Sequence, residues 1–158
     1  MIEEGDIIER HGKRYRVNTE SDHLGEPWKE HDGHGPVSEW TRRAKRPGER
    51  VLCEDRGSKR YYDAEEATKI AKRDGWDGPP YGGTARQKAH RAVQADYDRL
   101  RRWCNGDWCW VGVVVTEICT CDKGHEHDGE SASLWGIESD AGGDYLEQVA
   151  NELIDELQ

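Results

Sequence analysis

The segment CTCDKGHEH has the residue types in this sequence that best suit metal binding. It holds two thiols and two imidazoles within nine residues: Cys119, Cys121, His125 and His127. Thiolate and imidazole both bind zinc well. Structural zinc sites usually place two to four residues within each ligand pair and a longer span between the pairs. Here one residue separates each pair, and the intervening Asp-Lys-Gly is common turn chemistry. The segment predicts either a zinc site or a plain hairpin loop.

The segment KEHDGHG is a second polar cluster, and two tryptophans flank it. Its candidate site residues are Trp28, His31, Asp32, His34 and Trp40. Carboxylates and imidazoles this close together suit metal binding or general acid–base catalysis. The alternative is a glycine-rich turn whose polar side chains hold a loop in place. Because tryptophan is enriched at binding hot spots, we expect a surface that contacts a partner here rather than a catalytic pocket.

Several arginines form a candidate basic patch for phosphate contacts. The patch consists of Arg42, Arg43, Arg99, Arg101 and Arg102. No aromatic RNP pattern, zinc-finger spacing or evident recognition helix accompanies these residues. Nucleic-acid binding is therefore one interpretation of the patch, and a solvated surface is the other.

Formal charge is distributed unevenly along the chain, whose total is −10. Residues 41–105 carry 17 basic and 10 acidic side chains, whereas residues 106–158 carry 1 basic and 13 acidic ones. The basic segment is suited to contact phosphates, and the acidic segment is suited to dock on a basic partner surface. In a third interpretation, the two segments neutralise each other within the fold.

The sequence contains no P-loop, nucleophile-elbow or HExxH pattern. We therefore predict no catalytic residue and no enzymatic activity. The acidic N-terminus has no apolar signal segment, and no apolar run approaches the roughly 18 residues of a membrane span. These features predict a cytosolic protein in a reducing compartment, where disulfides are rare. We therefore expect the five cysteines to form no disulfide and to serve in packing or metal binding, with Cys104 and Cys109 buried as small hydrophobes.

Short extended runs predict the strands. Two hairpins are expected, one turning at His11-Gly12 and the other at Arg56-Gly57-Ser58. The run WCWVGVVVTEIC is rich in valine, which is typical of a central strand. The run SASLWGIE is expected to return antiparallel to it.

Capping patterns and apolar spacing predict three helices. Asp63 with Glu66 and Thr84 with Gln87 have the capping-box spacing at the starts of the first two. The second helix presents apolar residues at spacings of three and four, namely Ala89, Val93, Tyr97, Leu100 and Cys104. The chain closes with an amphipathic helix whose inward residues are Leu146, Val149, Ala150, Leu153 and Leu157.

This order of elements predicts an α+β fold, in which β-hairpins build an antiparallel sheet and about three helices pack on it. Residues 50–74 and 108–157 share the order strand, strand, helix, which is compatible with a repeated ββα unit. We expect residues 1–158 to form a single domain. A long irregular loop at about 19–49 is expected within it, because that segment is rich in Gly, Pro, Asp and His.

Three motifs resemble those of a family of small proteins encoded by tailed bacteriophages and prophages. They are PWKEHDGHGPVSEW, WVGVVVT and SLWGIESDAGGDYL. The resemblance covers roughly residues 26–157. It implies a phage accessory protein that works in the cytoplasm of the bacterial host. It implies no reaction, so no catalytic residues are transferred from the family.

Together, the resemblance and the acidic C-terminal third predict a non-enzymatic inhibitor of a bacterial defence complex, of the anti-CRISPR or anti-restriction type. Its partner would be a host protein or protein–nucleic-acid complex, met through an acidic face that mimics nucleic acid. One alternative is a nucleic-acid-binding accessory protein that uses the basic 41–105 segment. The other is a small zinc-stabilised interaction module. No membrane partner is expected, and the residues predict no oligomeric state.

Overall fold

The computed structural model describes residues 3–158, in which six strands and four helices form. In chain order they are β1 (Asp6–Arg10), β2 (Lys13–Ser21), α1 (Pro27–Glu30), β3 (Glu49–Asp55), β4 (Ser58–Asp63), α2 (Ala64–Asp74), α3 (Ala85–Cys104), β5 (Trp110–Thr120), β6 (Glu126–Glu138) and α4 (Gly143–Glu156). The predicted α+β class is confirmed.

Backbone contacts divide the chain into two compact units. The sheet unit comprises Met1–Leu24 and Trp108–Gln158, and the helical unit comprises Gly25–Asp107. The expectation of a single domain stays a prediction, because a compact unit need not fold independently of its neighbour.

The sheet unit contains a four-stranded antiparallel sheet in the order β1-β2-β5-β6. Its first hairpin turns at His11-Gly12 as predicted, and the φ angles of 52° and 77° suit a two-residue turn of type I′. β5 lies between β2 and β6, so the central position predicted from its valines is confirmed. The antiparallel return of β6 is confirmed as well.

α4 packs its apolar side on this sheet. Val149, Ala150 and Leu153 are buried as predicted, and Ile154, which the prediction omitted, is buried too. On the strands, alternate residues point toward α4 because side chains in a strand alternate between faces. These strand residues are Tyr15, Val17, Val113, Val115 and Ile137.

The helical unit is built from the second predicted hairpin, β3–β4, with α2 and α3 packed against it. The Asp63 side chain accepts a hydrogen bond from the Glu66 N–H at the start of α2. Thr84 and Gln87 form the complete capping box predicted for α3. The core of this unit consists of Leu52, Tyr62, Ala67, Ala71, Ala89, Val93, Tyr97 and Leu100.

The segment at about 19–49 is more regular than the predicted irregular loop. β2 continues to Ser21, and α1 occupies Pro27–Glu30. Further along the segment, Val37 bridges to Tyr62 and Thr41 bridges to Lys59. These bridges pair backbone polar groups with β4, which the local sequence pattern does not reveal.

The cysteines of the helical unit depart from the expectation that no disulfide forms. Cys53 on β3 and Cys104 at the end of α3 form a disulfide across 51 residues of sequence. Cys109 is exposed, so its expected burial is wrong as well. The expected absence of disulfides and the expected burial of Cys109 followed from composition and from the predicted reducing compartment. The packing of α3 on β3 instead determines which cysteines lie close enough to pair. Within residues 3–158, no helix has the length and apolar character needed to cross a membrane.

Candidate functional site

Arg60 is the buried charged residue around which the candidate site of the helical unit is built. It lies on β4 opposite Cys53 of β3, and its side chain is only 6% exposed. A buried guanidinium costs free energy unless other groups replace its lost hydration. Its surroundings must therefore supply both a countercharge and hydrogen-bond acceptors.

Two tryptophans and two carboxylates, Glu26 and, at 4.0 Å, Glu39, supply part of that compensation. The Arg60 guanidinium lies 5.2 Å from the ring centroid of Trp28 and 5.1 Å from that of Trp40. Both distances are within the range of cation–π attraction. Arg60 Nη2 donates a hydrogen bond of 3.1 Å to Glu26 Oε1. The pKa of Glu26 is lowered by a hydrogen bond from its own backbone, helped by Lys29 and Arg60, so Glu26 is ionised at neutral pH.

One nitrogen of the same guanidinium has no such compensation. Arg60 Nη1 is buried and has no hydrogen-bond partner. Buried donors are almost always paired in native proteins, and leaving one unpaired costs about 1–3 kcal/mol. Pairing this nitrogen with an acceptor would therefore lower the free energy of the folded state.

A cavity of about 500 Å³ adjoins this guanidinium. Its size falls in the range of small-molecule sites. Trp28, Trp40 and Trp103 line it, with Trp103 standing edge-on to Trp28 at a centroid distance of 5.6 Å. Arg101 also lines the cavity, where its Nη1 donates to the Val51 and Leu52 carbonyl oxygens. We call this cavity, together with Arg60 and its lining residues, the Arg60 pocket.

The electrostatics of the Arg60 pocket limit what it can bind. Glu26 already neutralises Arg60, and two more carboxylates, Glu54 and Asp55, line the cavity. The pocket offers a ligand stacking surfaces, the unpaired Arg60 nitrogen and the side-chain amide of Asn105. Its lining residues include no histidine, serine or free cysteine that would act as a base or nucleophile.

The structure separates the residues predicted around KEHDGHG. Trp28 and Trp40 meet in the Arg60 pocket, whereas His34 lies elsewhere in the helical unit. His34 Nδ1 is 2.6 Å from Asp96 Oδ1, and Asp96 Oδ2 accepts hydrogen bonds from the Gly35 N–H and the Tyr62 hydroxyl. Burial and the Asp96 carboxylate raise the pKa of Tyr62.

These contacts tie the loop to α3 and β4, which is the structural alternative left open for this segment. His31 and Asp32 are exposed. The predicted contact of a partner with the two tryptophans, His31, Asp32 and His34 stays a prediction.

The segment CTCDKGHEH forms the tip of the β5–β6 hairpin in the sheet unit. Cys119 pairs with His127 across the two strands, and the Cys121 N–H donates to the His125 carbonyl. Cys119 is half-buried, and the other three predicted ligands are exposed. Over residues 3–158, no three His, Cys, Asp or Glu side chains are grouped to hold a metal ion. This geometry matches the plain hairpin loop that was the alternative to a zinc site. Zinc binding stays a prediction, and metal analysis of the purified protein would test it.

Internal contacts engage several arginines of the predicted basic patch. Arg43 donates to both carboxylate oxygens of Glu49, at 2.8 and 2.7 Å. This pairing, with a hydrogen bond from the Arg46 N–H, lowers the pKa of Glu49 to about 2. Arg42 donates to the Arg56 carbonyl, and Arg101 donates to β3 as described above.

Arg99 and Arg102 lie on α3 beside Arg101. All five patch residues belong to the helical unit, and hydrogen bonds within that unit engage Arg42, Arg43 and Arg101. The patch therefore presents less free positive charge than its sequence indicates.

Sequence reasoning missed Arg60 and the Cys53–Cys104 disulfide. The run KRYYD shows Arg60 as one of two basic residues, and the spacing of the strand does not distinguish it from Lys59. The one signal that could have indicated a buried Arg60 was its position on the inward side of a strand, next to two tyrosines. Its tryptophan neighbours are distant in sequence, so only tertiary packing identifies the pocket.

Comparisons of this chain with protein-family models, curated proteins and solved structures found no match.

Proposed function

We propose that this chain is a non-enzymatic phage accessory protein that binds a host macromolecule in the bacterial cytoplasm. In its concrete form, the acidic sheet unit occupies a basic surface of a defence complex, in the manner of an anti-CRISPR or anti-restriction inhibitor. The observation that carries the proposal is the charge of the sheet unit. It holds 18 acidic and 5 basic side chains, a formal net charge of −13, whereas the helical unit has a net charge of +3.

The outer side of α4 supports this proposal most directly. It exposes five carboxylates, and the helix contains no lysine or arginine: the acidic residues are Asp144, Glu147, Glu152, Asp155 and Glu156. The apolar side of α4 is buried against the sheet, so binding through the carboxylates would not compete with packing. A helix of this length is about 21 Å long at 1.5 Å per residue. It would hold its carboxylates at fixed positions over its solvent-facing half.

The acidic residues of the strands are more neutralised than those of α4. Arg16 pairs with Asp128 at 3.0 Å, and Lys13 lies 3.7 Å from Glu117. On α4, Arg10 of β1 reaches Asp155 at 3.0 Å. α4 is therefore the preferred surface for a basic partner.

Surfaces that bind nucleic acid carry a positive potential that attracts phosphates. A folded domain with a high local negative charge is attracted to the same surface, and it excludes nucleic acid once bound. This mechanism needs no catalytic group in the inhibitor. It predicts rapid association that slows as salt is added.

The test is DNA cleavage by purified CRISPR effector and restriction complexes in the presence of saturating protein. We expect at least one complex to be inhibited, and a variant with Asp144→Asn, Glu147→Gln and Glu152→Gln to inhibit it much less. A matched control removes the same charge from α2 through Glu65→Gln, Glu66→Gln and Asp74→Asn, and it should inhibit like the unaltered protein. Complexes that all cut normally at saturation would refute the inhibitor proposal.

The nucleic-acid-binding alternative rests on the positive charge of the helical unit. It has less support, because internal hydrogen bonds engage Arg43 and Arg101. Direct binding of DNA or RNA that weakens steeply with salt would favour it. In that case, charge reversal at Arg42 and Arg102 should abolish binding, whereas the α4 variant should not.

A further inference from the structure

We propose that the Arg60 pocket binds an uncharged planar heterocycle with hydrogen-bond acceptors on its edge, the chemistry of a nucleobase. The proposal is independent of the proposed inhibitor function, because the pocket lies wholly in the helical unit. It rests on three features of the pocket: a buried unpaired donor, stacking surfaces and a balanced local charge.

The unpaired donor requires an acceptor in the ligand. Arg60 Nη1 carries two hydrogens, is buried, and has no partner within the chain. Its neighbour Nη2 is occupied by Glu26. An acceptor that enters the cavity would complete the hydrogen bonding of a group that is otherwise costly to bury.

Local charge favours a neutral ligand over an ion. An anion would meet Glu26, Glu54 and Asp55, whose three carboxylates outnumber the two guanidinium groups of Arg60 and Arg101. A cation would need the tryptophan faces that attract positive charge, but Arg60 already occupies the position beside Trp28 and Trp40. A neutral ring with edge acceptors avoids both conflicts.

The aromatic walls favour a flat ligand. Trp40 is 45% exposed, so part of its ring is accessible from solvent. Trp28 and Trp103 stand nearly perpendicular to each other, with an interplanar angle of 85°. A ring stacked on one tryptophan would therefore meet the edge of another. Stacking a base on an aromatic side chain is worth about 1–3 kcal/mol, and the 500 Å³ cavity is large enough for a nucleoside.

Among the bases, guanine fits this donor best. Its O6 and N7 lie on one edge and both accept hydrogen bonds, so either atom can take the one donor that Nη1 offers. The base would come either from a free nucleoside or from a single strand, whose phosphates would have to lie outside the acidic lining. These two sources share one chemistry and differ in how affinity depends on chain length.

The experiment is a calorimetric titration of the full-length protein with guanosine, adenosine, indole and ribose 5-phosphate. We expect guanosine to bind, indole to bind at least about tenfold more weakly because it has no acceptor, and ribose 5-phosphate to show no binding. Absence of binding by both nucleosides at millimolar concentration would overturn the proposal. Equal affinity for indole and guanosine would overturn it too.

A second titration with a short guanine-containing single strand identifies the source. Affinity equal to that of guanosine would assign a free nucleoside, and affinity at least about tenfold higher would assign a single strand that makes contacts beyond the base. Either result supports the pocket as a base site.

Two substitutions locate the binding. Trp40→Ala should weaken guanosine binding about tenfold through lost stacking, and Arg60→Lys should weaken it by a similar factor. Trp135→Ala is the matched control, because Trp135 is equally exposed but lies in the sheet unit. Trp40 is exposed enough that its variant should fold even if Arg60→Lys does not. Unchanged guanosine affinity in Trp40→Ala would refute the assignment to this pocket.

Discussion

The sheet unit and the helical unit deal with charge in opposite ways. The sheet unit keeps its charges at the surface, where 18 acidic side chains face 5 basic ones. The helical unit is nearly balanced, but it buries one guanidinium among tryptophans and holds the bidentate pair Arg43–Glu49, whose carboxylate is largely buried. Surface charge of one sign attracts a partner over a distance, whereas a buried charge selects ligands by geometry at contact. The two units are therefore suited to different kinds of recognition.

The largest expected difference between the units comes from the disulfide, which crosslinks only the helical unit among the described residues. Closing a loop of 51 residues should stabilise the folded state by about 4 kcal/mol in the chain-entropy view. Reduction, or Cys104→Ala, should therefore lower the melting temperature markedly, whereas Cys109→Ala should have little effect. Thiol titration of denatured, unreduced protein checks the premise. It should count three free thiols, and a count of five would contradict the disulfide.

The next comparison is between the two cores. Leu100 is fully buried in the helical unit, and Ile154 is fully buried in the sheet unit. Substitution of either by alanine should cost about 3 kcal/mol because each leaves a cavity. If the chain is one domain, both variants should show a single transition at a lower denaturant concentration. Two transitions, each moved by only one substitution, would contradict the predicted single domain.

Two glycines give a third comparison, because each lies against an aromatic ring. A Cβ on Gly35 would lie 2.5 Å from the Tyr62 hydroxyl and 2.7 Å from Ala67 Cβ, both in the helical core. A Cβ on Gly112 would overlap the Trp135 ring of the sheet unit, which is 45% exposed and has space to move.

We expect Gly35→Ala to cost about 3 kcal/mol and Gly112→Ala about 1 kcal/mol. Urea unfolding would measure both costs, and tryptophan fluorescence should change in Gly112→Ala. Gly142→Ala is the control, since no atom lies within 4 Å of its Cβ position. A larger cost at Gly112 than at Gly35 would mean that Trp135 is held as rigidly as the helical core.

The smallest effect expected is the pH dependence of two ion pairs. The folded pKa of Glu49 is about 2, below its usual value of 4.5, so its pairing stabilises the fold above pH 4.5. That contribution is lost as the pH falls from 4.5 toward 2. Glu49→Gln should therefore lower the melting temperature at pH 7 and have little effect near pH 2.

Glu126 is the matched position in the sheet unit. Its hydrogen bond from Arg14 also lowers its pKa, but the pair is exposed to solvent. Because water and salt screen exposed pairs, Glu126→Gln should change the melting temperature less than Glu49→Gln does at pH 7. Equal effects at the two positions would show that the burial of Glu49 adds nothing.

Local patterns were sufficient to predict most of the elements. The capping residues Asp63 and Thr84 start α2 and α3 as expected, because a cap acts within one helical turn. The valines of β5 indicated its central position, and the turn at His11-Gly12 set the first hairpin. These signals involve residues close in sequence, which is why the α+β class followed from them.

The candidate site was only partly predictable for the same reason. Trp28 and Trp40 were identified as contact residues, but His31, Asp32 and His34 do not join them in the pocket. The buried partner of the tryptophans is Arg60, twenty residues beyond Trp40. Arg43 and Arg101, predicted as free cations, form internal hydrogen bonds whose acceptors the linear sequence does not indicate.

The sequence by itself determined the class of fold, the order of its elements and the acidic character of its C-terminal third, because propensity, capping and formal charge are local properties. Tertiary structure alone decided that Arg60 is buried with one unpaired nitrogen, and that Cys53 meets Cys104. These features depend on which segments, distant in sequence, pack together. That packing is determined by the free energy of the whole folded chain and not by local sequence.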